Sequence, residues 1–279
     1  MHESIASLLE IAPVVGCSYV LRRISKARRQ MTILGIDIGG SGIKGAPVDV
    51  VSGRMLSERY RIPTPETATP DAVADIVAII ADEFDCTGPI GCAVPARVEH
   101  GLVSTAINIH EDWIDCKIDD LLSKRTGRPV EVLNDADAAG IASLRFGAGA
   151  NCDGVVLFLT VGTGIGSALF VDGVLVPNTE LGHLSVHGQI ADEYASARAR
   201  MQNDLTWPEW SVRFQEYLDR VEFLITLDWI IIGGGASRPE KTEEYFHLLN
   251  TRAKLRTETL ENEAGIIGAA YSARHLVVA

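Results

Sequence analysis

Ile33-Leu-Gly-Ile-Asp-Ile38 runs directly into Gly39-Gly40-Ser41-Gly42, and Val155-Val-Leu-Phe-Leu-Thr-Val161 runs into Gly162-Thr163-Gly164-Ile165-Gly166-Ser167. Each is a short β-branched run closed by a glycine turn. Each turn leads back into apolar sequence, Ile43 to Val50 and Ser167 to Val171, before a further turn at Ser52-Gly53 or Asp172-Gly173. That is the pattern of a β-hairpin meander, and it occurs twice. Helical and extended patterns alternate after each copy. Asp71 to Phe84 reads as a helix, Ile90 to Pro95 and Val130 to Leu133 as strands, Trp207 to Leu224 as a helix and Trp229 to Ile232 as a strand. The sequence therefore predicts an α/β layer architecture. Its two similar halves would face each other across a cleft, a favoured place for small-molecule sites. The expected division is a smaller α/β domain over residues 31–138 and a larger one over 139–263, switching near Asp135 to Gly147. The last helix, Ala264 to His275 within 264–279, is expected to pack back onto the first half.

Composition narrows the class. Of 279 residues, 47% are hydrophobic and 22% charged, the balance of a globular protein, and the length suits two ordinary domains. A formal charge of −12 sets up no field that would attract nucleic acid or an anionic membrane, though a local basic groove can still hold phosphate. The cysteines, Cys17, Cys86, Cys92, Cys116 and Cys152, form no C-x-x-C pair and have no histidine at a zinc-ligand interval. They read as isolated thiols in a reducing cytoplasm, with no zinc site. Within residues 1–30, Ile5 to Leu21 is apolar but broken by Glu10 and Pro13, and Arg22, Arg23, Lys26, Arg28 and Arg29 follow it. A secretory signal carries its positive charge before the apolar run, and this run falls short of a membrane span. Met31 stands just ahead of the first strand, so 1–30 is expected to be an extension, untranslated or loosely attached, and no function is assigned to it.

Three glycine turns and two loops carry the chemistry. In Asp37-Ile-Gly-Gly-Ser-Gly-Ile-Lys44, Gly39, Gly40, Ser41 and Gly42 leave backbone N–H groups free to approach phosphate oxygens. Asp37 can hold magnesium through water, and Lys44 can meet phosphate charge. A hairpin turn without a ligand is the plain alternative. No Walker P-loop ending and no dinucleotide-type helix follows. Gly162, Thr163, Gly164 and Gly166 make a second such turn, and together the two can grip a phosphate chain from both sides. Gly233, Gly234 and Gly235, after Ile230-Ile-Ile, form a third, either a tight strand-to-helix turn or a surface for a nucleotide base or ribose. Asn134-Asp135 stands where a strand enters a helix. One of the pair caps the helix, and Asp135 can also accept a hydroxyl proton during phosphoryl transfer, a reaction run largely on positioning and charge neutralisation. Glu180 and His183, in a loop after Pro177, and Asn108, near Trp113, are either solvated polar residues or hydrogen-bond partners for sugar hydroxyls.

As a set, Leu34-Gly-Ile-Asp-Ile-Gly-Gly-Ser-Gly-Ile-Lys-Gly45, Leu133-Asn-Asp-Ala-Asp-Ala-Ala139, Gly162-Thr-Gly-Ile-Gly-Ser-Ala168, Pro177-Asn-Thr-Glu-Leu-Gly-His183, Ile232-Gly-Gly-Gly235 and Ala264-Gly-Ile-Ile-Gly-Ala-Ala270 resemble the ROK (repressor, open reading frame, kinase) sugar kinases. The likeness is strongest to their polyphosphate-using glucokinase branch and runs from Ile33 to near the C-terminus. It implies a two-domain actin/hexokinase-like (ribonuclease H-like) fold and synthesis of glucose 6-phosphate from glucose, with inorganic polyphosphate and also ATP as donors. It further implies magnesium, a homodimer, Asp135 as base, and Asn108, Asn134, Asp135, Glu180 and His183 on the sugar. An ATP-only hexokinase for glucose or mannose is the alternative. A sugar-sensing regulator of the same family is disfavoured, since thirty leading residues are too few for a winged helix-turn-helix.

The sequence also departs from the pattern. His183 is followed by Leu184 to Asp192 without the cysteines of many relatives, Asn262-Glu263-Ala264 has glutamate where a second asparagine is usual, and Ala93-Val94-Pro95-Ala96 lacks an aromatic residue before the proline. A long polyphosphate needs a basic track, for which Lys124, Arg125, Arg128, Arg198 and Arg200 are candidates. Ordinary solvated charges are the alternative there.

Overall fold

The computed structural model describes residues 31–106 and 109–277. The 1–30 extension and Asn108 lie outside the described residues.

The first half is one mixed sheet. β1 (Thr32–Gly39) and β2 (Gly42–Asp49) form the expected antiparallel hairpin about Gly40-Ser41, with Asp37 directly opposite Lys44. β3 (Arg54–Met55) and β4 (Tyr60–Ile62) both pair with β2. β5 (Ile90–Val94) runs parallel to β1. β6 (Val98–Glu99) and β7 (Leu102–Val103) make a separate small ribbon, and β8 (Val130–Asn134) runs parallel to β5. The second half repeats the plan. β9 (Val155–Val161), β10 (Ile165–Val171) and β11 (Val174–Val176) form an antiparallel meander. β12 (Ser185–Val186) and β13 (Gln189–Ile190) form another small ribbon. β14 (Trp229–Gly233) lies parallel to β9 and β15 (Lys254–Thr257) parallel to β14. In each main sheet a hairpin is followed by parallel strands on its first member, the duplicated design expected from the two glycine-closed runs.

The helices form where local chemistry dictates. α1 (Pro70–Glu83) starts at Thr69, whose hydroxyl accepts the Ala72 N–H, and buries Val73, Ala74, Val77, Ile80 and Ala81 at helical spacing. α2 (Ile118–Thr126) precedes β8 and packs on α1. α3 (Asp135–Phe146) follows β8 without a break. α4 (Ala191–Ala195), α5 (Ala197–Gln202) and α6 (Trp207–Leu224) follow the second meander, and α6 opens with a reciprocal Thr206–Glu209 capping box. α7 (Pro239–Tyr245) lies between β14 and β15, and α8 (Ala264–Ser272) closes the chain.

One apolar core lies under the first sheet with α1 and α2, and another under the second sheet with α4, α6 and α7. A third joins the two sheets through α3 and α8, where Ile33, Val48, Ala142, Phe158, Phe170 and Ile266 meet. α8 packs on β1 and β5, and α3 on β9 and β10. These two helices touch backbone to backbone, because a Cβ at Gly268 would overlap the carbonyl of Ala138. That close approach requires glycine. Among the described residues no helix is long and apolar enough to cross a membrane.

Candidate active site

The carboxyl ends of β1 and β8 and the turn between β9 and β10 converge on one place. Asp37, near the end of β1, makes a 3.0 Å ion pair with Lys44. Directly opposed residues in an antiparallel pair share a face. The first turn is braced from outside, since the Thr64 hydroxyl donates to the Gly39 carbonyl at 2.5 Å and Arg61 donates to the Ser41 carbonyl at 2.6 Å.

At the junction of β8 and α3 the capping role falls to Asn134. Its Oδ1 accepts the N–H groups of Ala136 (2.8 Å) and Asp137 (3.1 Å), and its Nδ2 donates to the Ala96 carbonyl at 3.2 Å. Asn134 thereby caps α3 through Oδ1 and keeps one Nδ2 hydrogen for a further partner, and Asp135 is the next residue along. Asp135 is half-buried and accepts the Ala136 N–H at 2.8 Å. Desolvation pushes its pKa up to about 7, with the Asp37 charge next in weight and Glu180 and Asp137 adding, against the Ala136 N–H. Asp37, Asp135 and Glu180, from three separate motifs, thus share one electrostatic neighbourhood.

Asp137, two residues on and 2% exposed, was not singled out from the sequence. Its Oδ2 accepts the Asn178 N–H at 2.8 Å, its Oδ1 has no partner, and burial pushes its pKa up to about 7. Asn178, held at φ 57°, donates to the Val98 carbonyl at 2.9 Å and accepts the Val98 N–H at 3.0 Å, imitating a strand pair between the two halves. A cavity of about 500 Å³ is lined by Asn134, Asp137 and Asn178. Asn178 is legible only as a turn residue that tolerates left-handed backbone. Nothing local reveals its partners, eighty residues upstream and forty-one residues upstream.

The loop after Pro177 is stitched to β10 by Ser167, whose hydroxyl donates to the Thr179 carbonyl at 2.6 Å and accepts the Leu181 N–H at 3.0 Å. His183 Nδ1 lies 3.4 Å from Glu180 Oε2. Burial raises the Glu180 pKa, opposed by His183 and Arg97. In the cysteine-free stretch that follows, Asp192 does the bracing, accepting the Ile165 N–H and lying against Gly164 and Gly182.

The second turn is Gly162-Thr163-Gly164, closed by the Gly162 N–H donating to the Gly164 carbonyl at 2.9 Å. Gly166 falls within β10, because antiparallel pairing persists to Ile165 opposite Val161, and it lies against Ala136 at the head of α3. At the third turn Gly233 ends β14 and is packed by the Phe158 ring, while Gly234, at φ 73°, lies on the backbone of Val161. The third turn thus abuts the second. The Lys241 ammonium donates to the Gly235 carbonyl at 2.6 Å.

The five track candidates separate. Arg198 donates its backbone N–H to the Gly162 carbonyl at 3.1 Å, beside the second turn. Arg200 donates to the Leu205 carbonyl at 2.6 Å and lies 4.3 Å over the Trp207 ring. Arg125 is held by Asp71 and Asp75 of α1, and Arg128 donates to the Ala81 carbonyl at 3.3 Å. Lys124 is exposed in the last turn of α2. Residues 124–128 therefore sit at the start of β8 while Asp135 follows its end, a strand length of about 15 Å away by the rise of extended chain. The structure does not bring them together with the turns.

No group of three His, Cys, Asp or Glu side chains suited to a metal ion occurs among the described residues. Magnesium on a phosphate substrate needs only one or two carboxylates, the rest being phosphate oxygens and water. Asp37, beside Asp135 and the first turn, fits that requirement.

The model of the ROK family matches residues 33–199. A polyphosphate glucokinase of Mycobacterium tuberculosis is 45% identical over 237 residues, covering 85% of this chain and 89% of the relative. One of Mycobacterium leprae is 41% identical over 237 residues, covering 85% and 72%. The crystal structure of an inorganic polyphosphate/ATP-glucomannokinase from Arthrobacter sp. strain KM matches with a TM-score of 0.81 at 48% identity, covering 86% of this chain and 97% of that one.

Proposed function

The chain belongs to the ROK family, and from that premise we propose that it is a glucose kinase that makes glucose 6-phosphate with inorganic polyphosphate as phosphoryl donor. The observation that carries the reading is the half-buried Asp135 carboxyl at the head of α3, flanked by Asp37 and Glu180 and adjacent to both glycine turns. In this reading Glu180 and His183 hold sugar hydroxyls and present the primary hydroxyl to Asp135. The carboxylate takes the hydroxyl proton as the oxygen bonds to the terminal phosphorus, and the bond to the next bridging oxygen breaks, leaving a donor chain shorter by one phosphate. Backbone N–H groups of the first and second turns hold the transferred phosphoryl and its neighbour. Magnesium, held through water by Asp37, would neutralise donor charge that the surrounding carboxylates repel. Asn134 serves this site as the cap that fixes where Asp135 points, and Asn108 remains a sugar-contact candidate.

ATP as an additional donor and mannose as an additional acceptor form a second reading, favoured by the likeness to the polyphosphate/ATP-glucomannokinase of Arthrobacter. We further propose that the enzyme works in the cytoplasm as a homodimer, on family grounds. The decisive assay follows hexose 6-phosphate with glucose or mannose as acceptor and purified polyphosphate or ATP as sole donor. Product with polyphosphate and glucose is expected; none with that pair removes the polyphosphate reading and leaves an ATP-dependent kinase.

A further inference from the structure

Four cations gather around the second and third glycine turns. Lys241, on α7, reaches the Gly235 carbonyl, and its ammonium stands 5.8 Å from the Trp207 ring. Arg200 covers the same ring at 4.3 Å, and its Nε is buried without a partner. Arg198, two residues before it, is anchored by its backbone to Gly162, and Arg238 is the residue on which α7 begins. Among the described residues none of the four makes a salt bridge, so no carboxylate neutralises the group from within. The Lys241 pKa is lowered by burial first and then by Arg238 and Arg200, opposed by Glu240, so these side chains feel one another's charge. Like charges held close together repel one another, and an anion that joins them relieves that cost.

Position gives the anion its identity. A donor whose terminal phosphates lie between the first and second turns has its remainder directed either toward the acidic group of Asp37, Asp135 and Glu180 or along the third turn, which abuts the second at Val161. The carboxylates repel the first course. On the second course a chain of phosphates would meet the charges of Lys241 and Arg238 beside the Gly235 carbonyl. We propose that Arg198, Arg238 and Lys241, arranged around the Gly233–Gly235 turn with Arg200 packed behind them on Trp207, form the subsite for the internal phosphates of a polyanionic donor. The inference rests on the proposed kinase activity and concerns how its donor is recognised. Arg200 is a positioning residue, since Leu205 and the Trp207 ring occupy its guanidinium.

Glutamine keeps much of the aliphatic stem and removes the charge, so Arg238→Gln, Lys241→Gln and the double variant are the informative changes. Each is compared with wild type using long-chain polyphosphate, tripolyphosphate and ATP. Arg274→Gln, in the 3-10 turn Ala273–Leu276 that follows α8, serves as the charge-matched control. For the double variant, kcat/KM with long-chain polyphosphate is expected to fall about tenfold or more, the loss of one or two charge-assisted hydrogen bonds. The loss should be smaller for tripolyphosphate and ATP, so the ratio of long-chain polyphosphate to ATP falls. The slope of log kcat/KM for polyphosphate against log salt should become shallower by roughly 0.7–0.9 per cation removed, as for other linear polyanions. Equal losses with all donors, or an unchanged salt slope, would overturn the subsite. A wild-type enzyme inactive with polyphosphate would instead overturn the donor assignment, so the two failures are separable.

Discussion

Asp135 is placed by one neighbour and tuned by residues far away in the chain. Asn134 takes the cap and so turns the next carboxyl toward the cleft, while burial and the Asp37 and Glu180 charges hold that carboxyl's pKa near 7. Asp135→Asn should keep the fold and glucose binding, which calorimetry can check, while kcat falls by about 10²–10⁴, the usual worth of general-base catalysis. Retention of more than a tenth of the activity would remove it from the role of base. Because the base must be unprotonated, wild-type kcat/KM should rise with pH through a limb near 7. The stability effect has the opposite sense. A carboxyl with a folded pKa of about 7 and an ordinary value of 3.8 binds its proton more readily in the native state, so its contribution is present below about 4 and lost as pH rises to 7. Thermal melts of Asp135→Asn against wild type should therefore diverge between pH 4 and 7, the variant becoming relatively more stable at the upper end. Parallel melting curves across that window would count against the raised pKa.

At the scale of elements, the contact of α3 with α8 governs where the proposed base sits, because α3 carries Asp135 and α8 is fixed to the first sheet. Gly268→Ala places a methyl group on the Ala138 carbonyl, a backbone atom that cannot rotate away. The expected cost is about 1–3 kcal/mol from overpacking, read by denaturant unfolding, with a loss of kcat as α3 shifts. An unperturbed midpoint would show that the helices separate freely. Elements with strong local signals were legible beforehand. Both hairpins were, as was α6, whose bounds Trp207–Leu224 match the sequence reading over about five turns. α4 and α5, of five and six residues, and the Lys117-started α2 were not. Helices that short carry too few turns for a period to show, and they persist through packing rather than propensity. Gly166 was read as turn and proves to be strand, because pairing with β9 and the approach of Ala136 decide its place.

At the scale of the whole molecule, the two halves are clasped by Asn178 on Val98, with Asp137 holding the Asn178 backbone two residues ahead of Glu180. Asn178→Gly preserves the left-handed backbone and deletes both side-chain bonds. It should lower stability by about 1–3 kcal/mol and raise KM for glucose more than it lowers kcat, since the clasp positions the loop of Glu180, the proposed sugar contact, and not the phosphate turns. Steady-state kinetics with polyphosphate saturating would test this, and an unchanged KM would reduce the clasp to a structural tie. By itself the sequence determined the duplicated hairpin design, the glycine turns, the cap-and-carboxylate step at Asn134-Asp135 and the family, because each is written in residues adjacent along the chain. Only the tertiary structure decided that Asn134 caps the helix, that Asp137 and Asn178 tie the halves, that Lys124, Arg125 and Arg128 lie a strand away, and that Lys241 and Arg238 join Arg200. Desolvation and charge–charge coupling depend on which surfaces close over a group, and the chain brings those surfaces together from positions tens of residues apart.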